Sequence, residues 1–198
     1  MKRTHAEDLL QQALETEKGG EKLYEAAIRA AANDDLREEW QEYLEETKSH
    51  QQKLQAVFEA LGIEPEPDRP SCAILRAKAS GLVEAIENAI ATLPPEAAQL
   101  VAGECVVEAE NKDHLNWSLL EHVVQDGPKA FAEALREPVK EVLEQEAHHV
   151  FHTRGWVREL WMQHLGFGAA LPPPEEEKEV ETMIGAGRAE HQRDRYIR

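Results

Sequence analysis

The sequence of 198 residues is poor in cysteine, in aromatic residues and in long apolar runs. Its two cysteines, Cys72 and Cys105, lie too far apart to form a short metal-binding motif, and we expect both to be reduced thiols in the cytoplasm. No stretch approaches the roughly 20 apolar residues of a membrane span. Residues 97–107 are the most apolar region, and Glu104 interrupts them. The first ten residues also lack the apolar run of a signal peptide.

Positive charge is scarce as well. The chain carries 22 lysine and arginine residues against 39 aspartate and glutamate residues, which gives a net charge of −17. Such a surface repels phosphate backbones and anionic lipids, so we expect neither a nucleic acid nor a membrane as a partner. Aromatic residues make up only 6%, and the richness in alanine, glutamate, leucine and glutamine predicts a mostly helical soluble protein.

Apolar residues recur at helical spacing in four long segments. The four predicted helices cover residues 5–32, 35–61, 95–125 and 137–165. A turn at Asn33–Asp35 separates the first pair, with Asp34 as the predicted N-cap, and Gly62 ends the second helix. A break at 126–128 and a short helix over 129–136 separate the second pair. The sequence therefore predicts two antiparallel helical hairpins.

A long crossover joins the two hairpins. It covers residues 63–94, begins with a proline-rich linker and contains an extra helix over 71–92, which we expect to pack on the side of the bundle. The predicted fold is an all-α antiparallel four-helix bundle over residues 1–166. The tail over 167–198 is predicted to be partly helical, with one short helix within 175–196.

Each of the four apolar stripes is interrupted near its middle by glutamate or histidine. The interrupting residues are Glu17 and Glu21, His50, Glu110 and His114, and Glu146 and His149. The midpoint between Glu17 and His50 falls in the first turn, and the midpoint between Glu110 and His149 falls near the second break. All these groups should therefore lie in one layer across the bundle. Because an isolated buried charge costs several kcal/mol, a cation is expected to hold them together.

The two hairpins also resemble each other in sequence. The paired segments are 15–24 with 108–117, and 43–50 with 142–149. This alignment places Glu17 opposite Glu110 and His50 opposite His149. Identity is modest, and the pattern predicts a duplication that would create a pseudo-twofold site between the hairpins.

Glu146 and His149 form a Glu-x-x-His motif, whose two side chains share a helix face. A carboxylate there can bridge two metal ions while the imidazole binds one of them, and such ligands suit iron, manganese or zinc. With this motif, the chain resembles the ferritin-like superfamily, especially rubrerythrin-type and YciF-like bacterial stress proteins. The resemblance rests on Glu17 followed by Tyr24, on LEETKSHQQKLQAVFEALG, on VVEAE and on EQEAHH.

The resemblance covers about residues 5–166 and implies a ferritin-like bundle with one or two bound metal ions. It implies iron first, with manganese or zinc as alternatives, and oxygen or peroxide chemistry in stress protection by a non-haem di-iron oxidoreductase. By this resemblance the metal ligands correspond to Glu17, His50, Glu110, Glu146 and His149. The chain departs from the family at Thr47, where a glutamate is expected. Glu21 and His114 lie on the seam and are candidates to compensate.

Three outcomes stay open at this point: an altered two-metal site, a single-metal site, or a vestigial site without metal. In the last case the protein is a stress or interaction bundle whose polar layer fixes the register of the helices. The long crossover and the irregular tail argue against a closed iron-storage shell. A homodimer is the expected assembly.

Overall fold

The computed structural model describes residues 2–197, in which seven α-helices pack together and no strand occurs. The helices are α1 (Arg3–Ala30), α2 (Asp34–Leu61), α3 (Pro70–Thr92), α4 (Pro95–Asp126), α5 (Lys129–His164), α6 (Pro174–Glu177) and α7 (Met183–His191), followed by a 3-10 helix (Arg193–Arg195). The predicted all-α helical bundle is confirmed.

The four long helices α1, α2, α4 and α5 form the bundle. α1 pairs with α2 and α4 pairs with α5, while α1 also packs beside α4 and α2 beside α5, so the two hairpins face each other. The crossover helix α3 packs across α1 and α4, and the small helices α6 and α7 contact α5. None of the described helices combines the length and the apolar content needed to cross a membrane.

The ends of α2 follow local sequence signals. Asn33, and not Asp34 as predicted, is the N-cap, since its side chain accepts a hydrogen bond of 3.0 Å from the amide of Leu36. Asn33 has the extended backbone that an N-cap needs, whereas Asp34 is already helical. At the other end, Gly62 has a φ of +62°, a left-handed conformation that glycine adopts without strain.

The predicted break at 126–128 is confirmed, but the predicted separation of a short helix over 129–136 from the fourth bundle helix is wrong. α5 runs without interruption from Lys129 through Pro138 to His164. Proline inside a helix removes one hydrogen bond and crowds the preceding turn. Here Phe131 and Leu135 are buried in the same apolar cluster as the residues that follow Pro138, and this packing offsets the loss.

The tail is not one helix either. Glu179 has a φ of +48°, which ends the helical path after α6. Thr182 then caps α7, because its hydroxyl accepts a hydrogen bond of 3.1 Å from the amide of Gly185. The tail therefore folds back on α5 in short pieces, because Glu179 ends one helix and Thr182 starts the next.

The apolar core of the bundle has two large clusters, and a smaller third cluster lies between α5 and the tail. One large cluster contains Trp40 and Trp156, and the other contains Trp117 and Phe131. Along each bundle helix, the glutamate and histidine residues that interrupt the apolar stripe lie between residues of these two clusters. The interior of the bundle thus has a polar layer with a large apolar cluster on either side.

Candidate metal centre

All four bundle helices contribute a buried glutamate or histidine to the polar layer. These residues are Glu17 on α1, His50 on α2, Glu110 on α4, and Glu146 and His149 on α5. Each is at most 3% exposed to solvent. Taking so many ionisable groups out of water costs several kcal/mol apiece unless they find partners. The layer is therefore held by interactions among these side chains or with a cation.

The side chains meet in two groups of three that share Glu146. His50 Nδ1 lies 3.3 Å from Glu17 Oε1 and 3.1 Å from Glu146 Oε1. His149 Nδ1 lies 3.5 Å from Glu110 Oε2 and 3.7 Å from Glu146 Oε1. Within each group, the possible ligand atoms all lie within 4.8 Å of one another. Each group is thus compact enough to hold a metal ion.

Each of the five residues has a buried side-chain atom without a hydrogen-bond partner among the described residues. These atoms are Glu17 Oε2, His50 Nδ1, Glu110 Oε2, Glu146 Oε2 and His149 Nδ1. The close contacts of the two imidazoles with the carboxylates do not have hydrogen-bond geometry. Because unsatisfied buried polar atoms are rare and costly, five of them on the residues of one cluster fit a cation, and their oxygen and nitrogen donors suit a transition metal.

The far side of each imidazole is tied to a second polar residue. His50 Nε2 lies 3.0 Å from Gln145 Oε1, and His149 Nε2 lies 2.7 Å from Glu46 Oε2. The amide of Gln145 also donates a hydrogen bond of 2.5 Å to Glu46 Oε1. Since these oxygens accept hydrogen bonds, each Nε2 carries a proton, which leaves Nδ1 on the side of the cluster as the atom that would bind a metal from the neutral ring. Histidines that bind metals are commonly fixed in this way.

The electrostatics of the cluster shift the pKa of His50, His149 and Glu146. Burial by itself lowers the pKa of His50, but the carboxylates of Glu146 and Glu17 outweigh it and raise the pKa to about 11. Burial also lowers the pKa of His149, but nearby carboxylates, above all that of Glu110, outweigh this effect and raise the pKa to about 10. Burial raises the pKa of Glu146 to about 7 against the effect of His50. The cluster therefore favours positive charge at its centre.

Sequence reasoning missed one carboxylate beside the cluster. Asp113 on α4 is 5% exposed, and its Oδ1 has no hydrogen-bond partner among the described residues. Burial and the charges of Glu17 and Glu146 raise the pKa of Asp113 well above its usual value. Its spacing of three residues from Glu110 was the available signal, because residues so spaced share a helix face.

Glu46 lies at the edge of the apolar stripe of α2, and its carboxylate reaches His149. Burial alone would raise the pKa of Glu46, but its contacts with His149 lower it. A long side chain at the edge of an apolar stripe can reach inward or outward, and the sequence does not say which.

The structure does not bring Glu21 and His114 into the cluster. The carboxylate of Glu21 accepts a hydrogen bond of 2.7 Å from the side-chain amide of Gln51. His114 is half-buried, and its ring lies edge-on to Phe151. Thr47, where a carboxylate is expected, is buried at 3% exposure. Neither of the two proposed substitutes therefore replaces the missing glutamate.

A protein-family model matches residues 2–103, which are 102 of the 198 residues of the chain. The chain belongs to the DUF892 family. This family is described as a domain of unknown function, and it has the ferritin-like fold. No curated protein and no solved structure matches the chain.

The DUF892 match includes Glu17 and His50 and ends before Glu110. It supports the ferritin-like fold expected from the sequence. The finer resemblance to rubrerythrin-type and YciF-like stress proteins stays a prediction. The second hairpin contributes its part of the cluster outside the matched segment, so that part rests on the geometry of the structure.

Proposed function

We propose that this protein binds two transition-metal ions in the polar layer of the bundle. The proposed ligands are Glu17, His50, Glu110, Glu146 and His149, with Glu146 shared between the two ions. The observation that carries the proposal is the compact cluster of five buried residues, each of which has a side-chain atom without a hydrogen-bond partner among the described residues. Asp113 provides a further carboxylate in the same layer. We propose that it replaces the carboxylate that is missing because residue 47 is a threonine.

Iron is the metal we favour, with manganese and zinc as alternatives, since carboxylate and imidazole ligands bind all three. When bound, a pair of iron ions supplies the electrons for reduction of oxygen or peroxide, and the proposed role is protection against these oxidants. The ligand side chains are buried, which keeps bulk water away. Trp117 donates a hydrogen bond of 2.7 Å to Glu17 Oε1, and so orients that carboxylate.

Metal binding is tested by loading the metal-free protein with iron(II) without oxygen and measuring bound iron by mass spectrometry. We expect about two ions per chain if each of the two groups is filled. Glu146→Gln removes the shared carboxylate charge and should reduce the content to less than one ion. Glu144→Gln is the matched control, because Glu144 is exposed on the same helix and should leave iron binding unchanged.

Oxygen chemistry is tested on the loaded protein by admitting air and following the absorbance of oxidised iron together with oxygen uptake. Oxidation faster than that of free iron(II), and its loss in Glu146→Gln, would support the proposed role. Wild-type protein that takes up no iron, manganese or zinc would contradict the metal centre itself.

A second candidate function is that of a metal-free bundle whose polar layer fixes helix register. It is favoured by the short distances between the imidazoles and the carboxylates, which let a protonated His50 or His149 balance the acidic groups. In that case the free energy of unfolding should not depend on added metal. An increase of about 2.7 kcal/mol at a metal concentration 100 times the dissociation constant supports the metal centre instead.

A further inference from the structure

A pocket of about 440 Å³ lies outside the metal cluster, between α1, α3 and α4. Its lining residues are Thr16, Gly19, Gly20, Leu23, Leu75, Lys78, Ala79, Gly81, Leu82, Glu108, Ala109 and Lys112. The crossover helix α3 forms one wall, and the close approach of α1 and α3 at Gly19 and Ala79 bounds the pocket. Its volume is within the range of small-molecule sites.

The pocket has apolar walls and two lysines on different helices. Lys112 of α4 is half-buried, and its ammonium group donates to the side-chain oxygen of Asn116. Among the described residues, the ion pairs of lysine involve other lysines, and no carboxylate pairs with either of these two. Two lysines without an ion-pair partner thus line one pocket together with apolar side chains.

Only a thin wall separates this pocket from the polar layer. Gly20 has no side chain, and a Cβ built there would lie 3.5 Å from the Cγ2 atom of Thr47. Thr16, next to Glu17 in sequence, accepts a hydrogen bond of 2.9 Å from Asn116 and lines the same wall. A molecule in the pocket therefore lies close to Thr47, which occupies the position in the polar layer where a carboxylate is expected.

We propose that this pocket binds a small organic anion with an apolar body, such as a medium-chain carboxylate. The anionic group lies between Lys78 and Lys112, and the apolar body packs along Leu23, Leu75 and Leu82. Neutral apolar molecules would leave the two ammonium groups without a counter-ion. Although Glu108 also lines the pocket, it forms no ion pair with either lysine, and an anionic group fits the two positive charges. None of the lining residues belongs to the proposed metal ligands, so this site does not depend on bound metal.

The proposal is tested by titrating metal-free protein with decanoate below its micelle concentration and measuring binding by calorimetry. Gly81→Leu should abolish binding, because Gly81 lines the pocket and a Cβ there meets no other atom within 4 Å. Leucine favours a helix more than glycine does, so this variant should fold at least as stably as the wild type. Thermal unfolding checks this. Gly81→Ala is the matched control, since it makes a smaller change and should retain binding.

Charge recognition is tested with the double variant Lys78→Gln and Lys112→Gln, which removes both positive charges but keeps polar side chains and should weaken decanoate binding by at least about tenfold, or 1.4 kcal/mol. Decyltrimethylammonium, a cation with the same chain, should not compete. Equal binding of this cation, unchanged decanoate binding by Gly81→Leu, or no saturable binding of decanoate by the wild type would each overturn the proposal. Iron content is measured separately. Absence of decanoate binding would therefore not contradict the proposed metal centre, and absence of iron binding would not contradict the proposed anion site.

Discussion

Each hairpin of the bundle contributes one glutamate and one histidine to the cluster, at equivalent positions of the repeat. Glu17 of α1 corresponds to Glu110 of α4, and His50 of α2 corresponds to His149 of α5. All four are buried, and each histidine turns its Nδ1 atom toward a glutamate of its own half. The symmetry ends at the next position, where the second hairpin has Glu146 and the first has Thr47. The second hairpin thus supplies the only carboxylate shared by both groups of three in the described residues.

The residues that hold the histidines cross between the halves. Gln145 of the second hairpin binds His50 of the first, and Glu46 of the first hairpin binds His149 of the second. These two residues occupy equivalent positions in the repeat, but one is an amide and the other a carboxylate. Neither half can therefore form its part of the site alone, and the difference between the halves should make the two metal positions unequal.

The largest effect is expected when the missing carboxylate is restored. Thr47→Glu makes the first hairpin match the second, and the glycine at position 20 leaves space beside it. We expect iron affinity to rise about 100-fold, at the upper end of what changes around metal ligands produce, since a direct ligand is added. Competition with a chelator measures this. Thr47→Gln has the same size without the charge and should show no such gain.

Removing the carboxylate behind His149 should weaken the site less. Glu46→Gln makes the two supporting residues alike, and the histidine then loses a strong acceptor for its Nε2 proton. We expect a decrease in metal affinity of about 10-fold to 100-fold, as is usual for such supporting residues. Glu42→Gln, on an exposed position of the same helix, is the control. Equal affinities of the two variants would contradict the role given to Glu46.

A buried carboxylate on α5 of the second hairpin holds the tail. Glu159 is 0% exposed and accepts hydrogen bonds from Arg158, Arg193 and the amide of Ala170. Burial would raise its pKa, but these partners lower it below the ordinary glutamate value of 4.5. The stability it contributes is therefore present above pH 4.5 and lost as pH falls through the lowered pKa.

Glu159→Gln should accordingly reduce the free energy of unfolding by about 2 kcal/mol at pH 7, the usual value for hydrogen bonds to a charged group. The deficit should shrink as the pH falls below the unfolded-state pKa. Urea unfolding at several pH values tests this. Glu190→Gln, an exposed residue of the tail, should change little. A deficit that is independent of pH would argue that Glu159 acts through packing alone.

Asp113 marks another difference between the halves, because the equivalent position in the first hairpin is Gly20. Asp113→Asn keeps the size of the side chain and removes its charge. We expect a decrease of about tenfold in iron affinity, or 1.4 kcal/mol, if its carboxylate helps to hold the metal. Glu108→Gln, on an exposed position of α4, is the control. Unchanged affinity would remove Asp113 from the proposed site.

The smallest effect is expected at Tyr24, which corresponds to Trp117 in the repeat. Trp117 donates a hydrogen bond to Glu17, whereas the hydroxyl of Tyr24 is buried near Glu110 without a hydrogen bond. Tyr24→Phe should therefore change the free energy of unfolding of the metal-free protein by about 0.5 kcal/mol or less. A loss well above this in thermal unfolding would show that the hydroxyl does bind a carboxylate.

Much of the fold could be predicted because helical periodicity is repeated over long segments. Each stripe has enough apolar positions to fix the face of its helix, so the polar interruptions at Glu17 and His50 could be assigned to the interior. The continuity of α5 through Pro138 could not be predicted. Local preference favours a break at proline, and only packing against the rest of the bundle keeps the helix continuous.

The sequence by itself determined which residue types interrupt the apolar stripes, and at what depth, because a regular helix rotates and rises by a fixed amount per residue. Tertiary structure alone decided the residues at the stripe edges: Glu21 and His114 stay outside the cluster, while Glu46 and Asp113 lie beside it. At the edge of an apolar stripe, a side chain turns inward or outward according to the position of the neighbouring helix and the space that this helix leaves. That choice depends on how the helices pack, which periodicity along one chain does not specify.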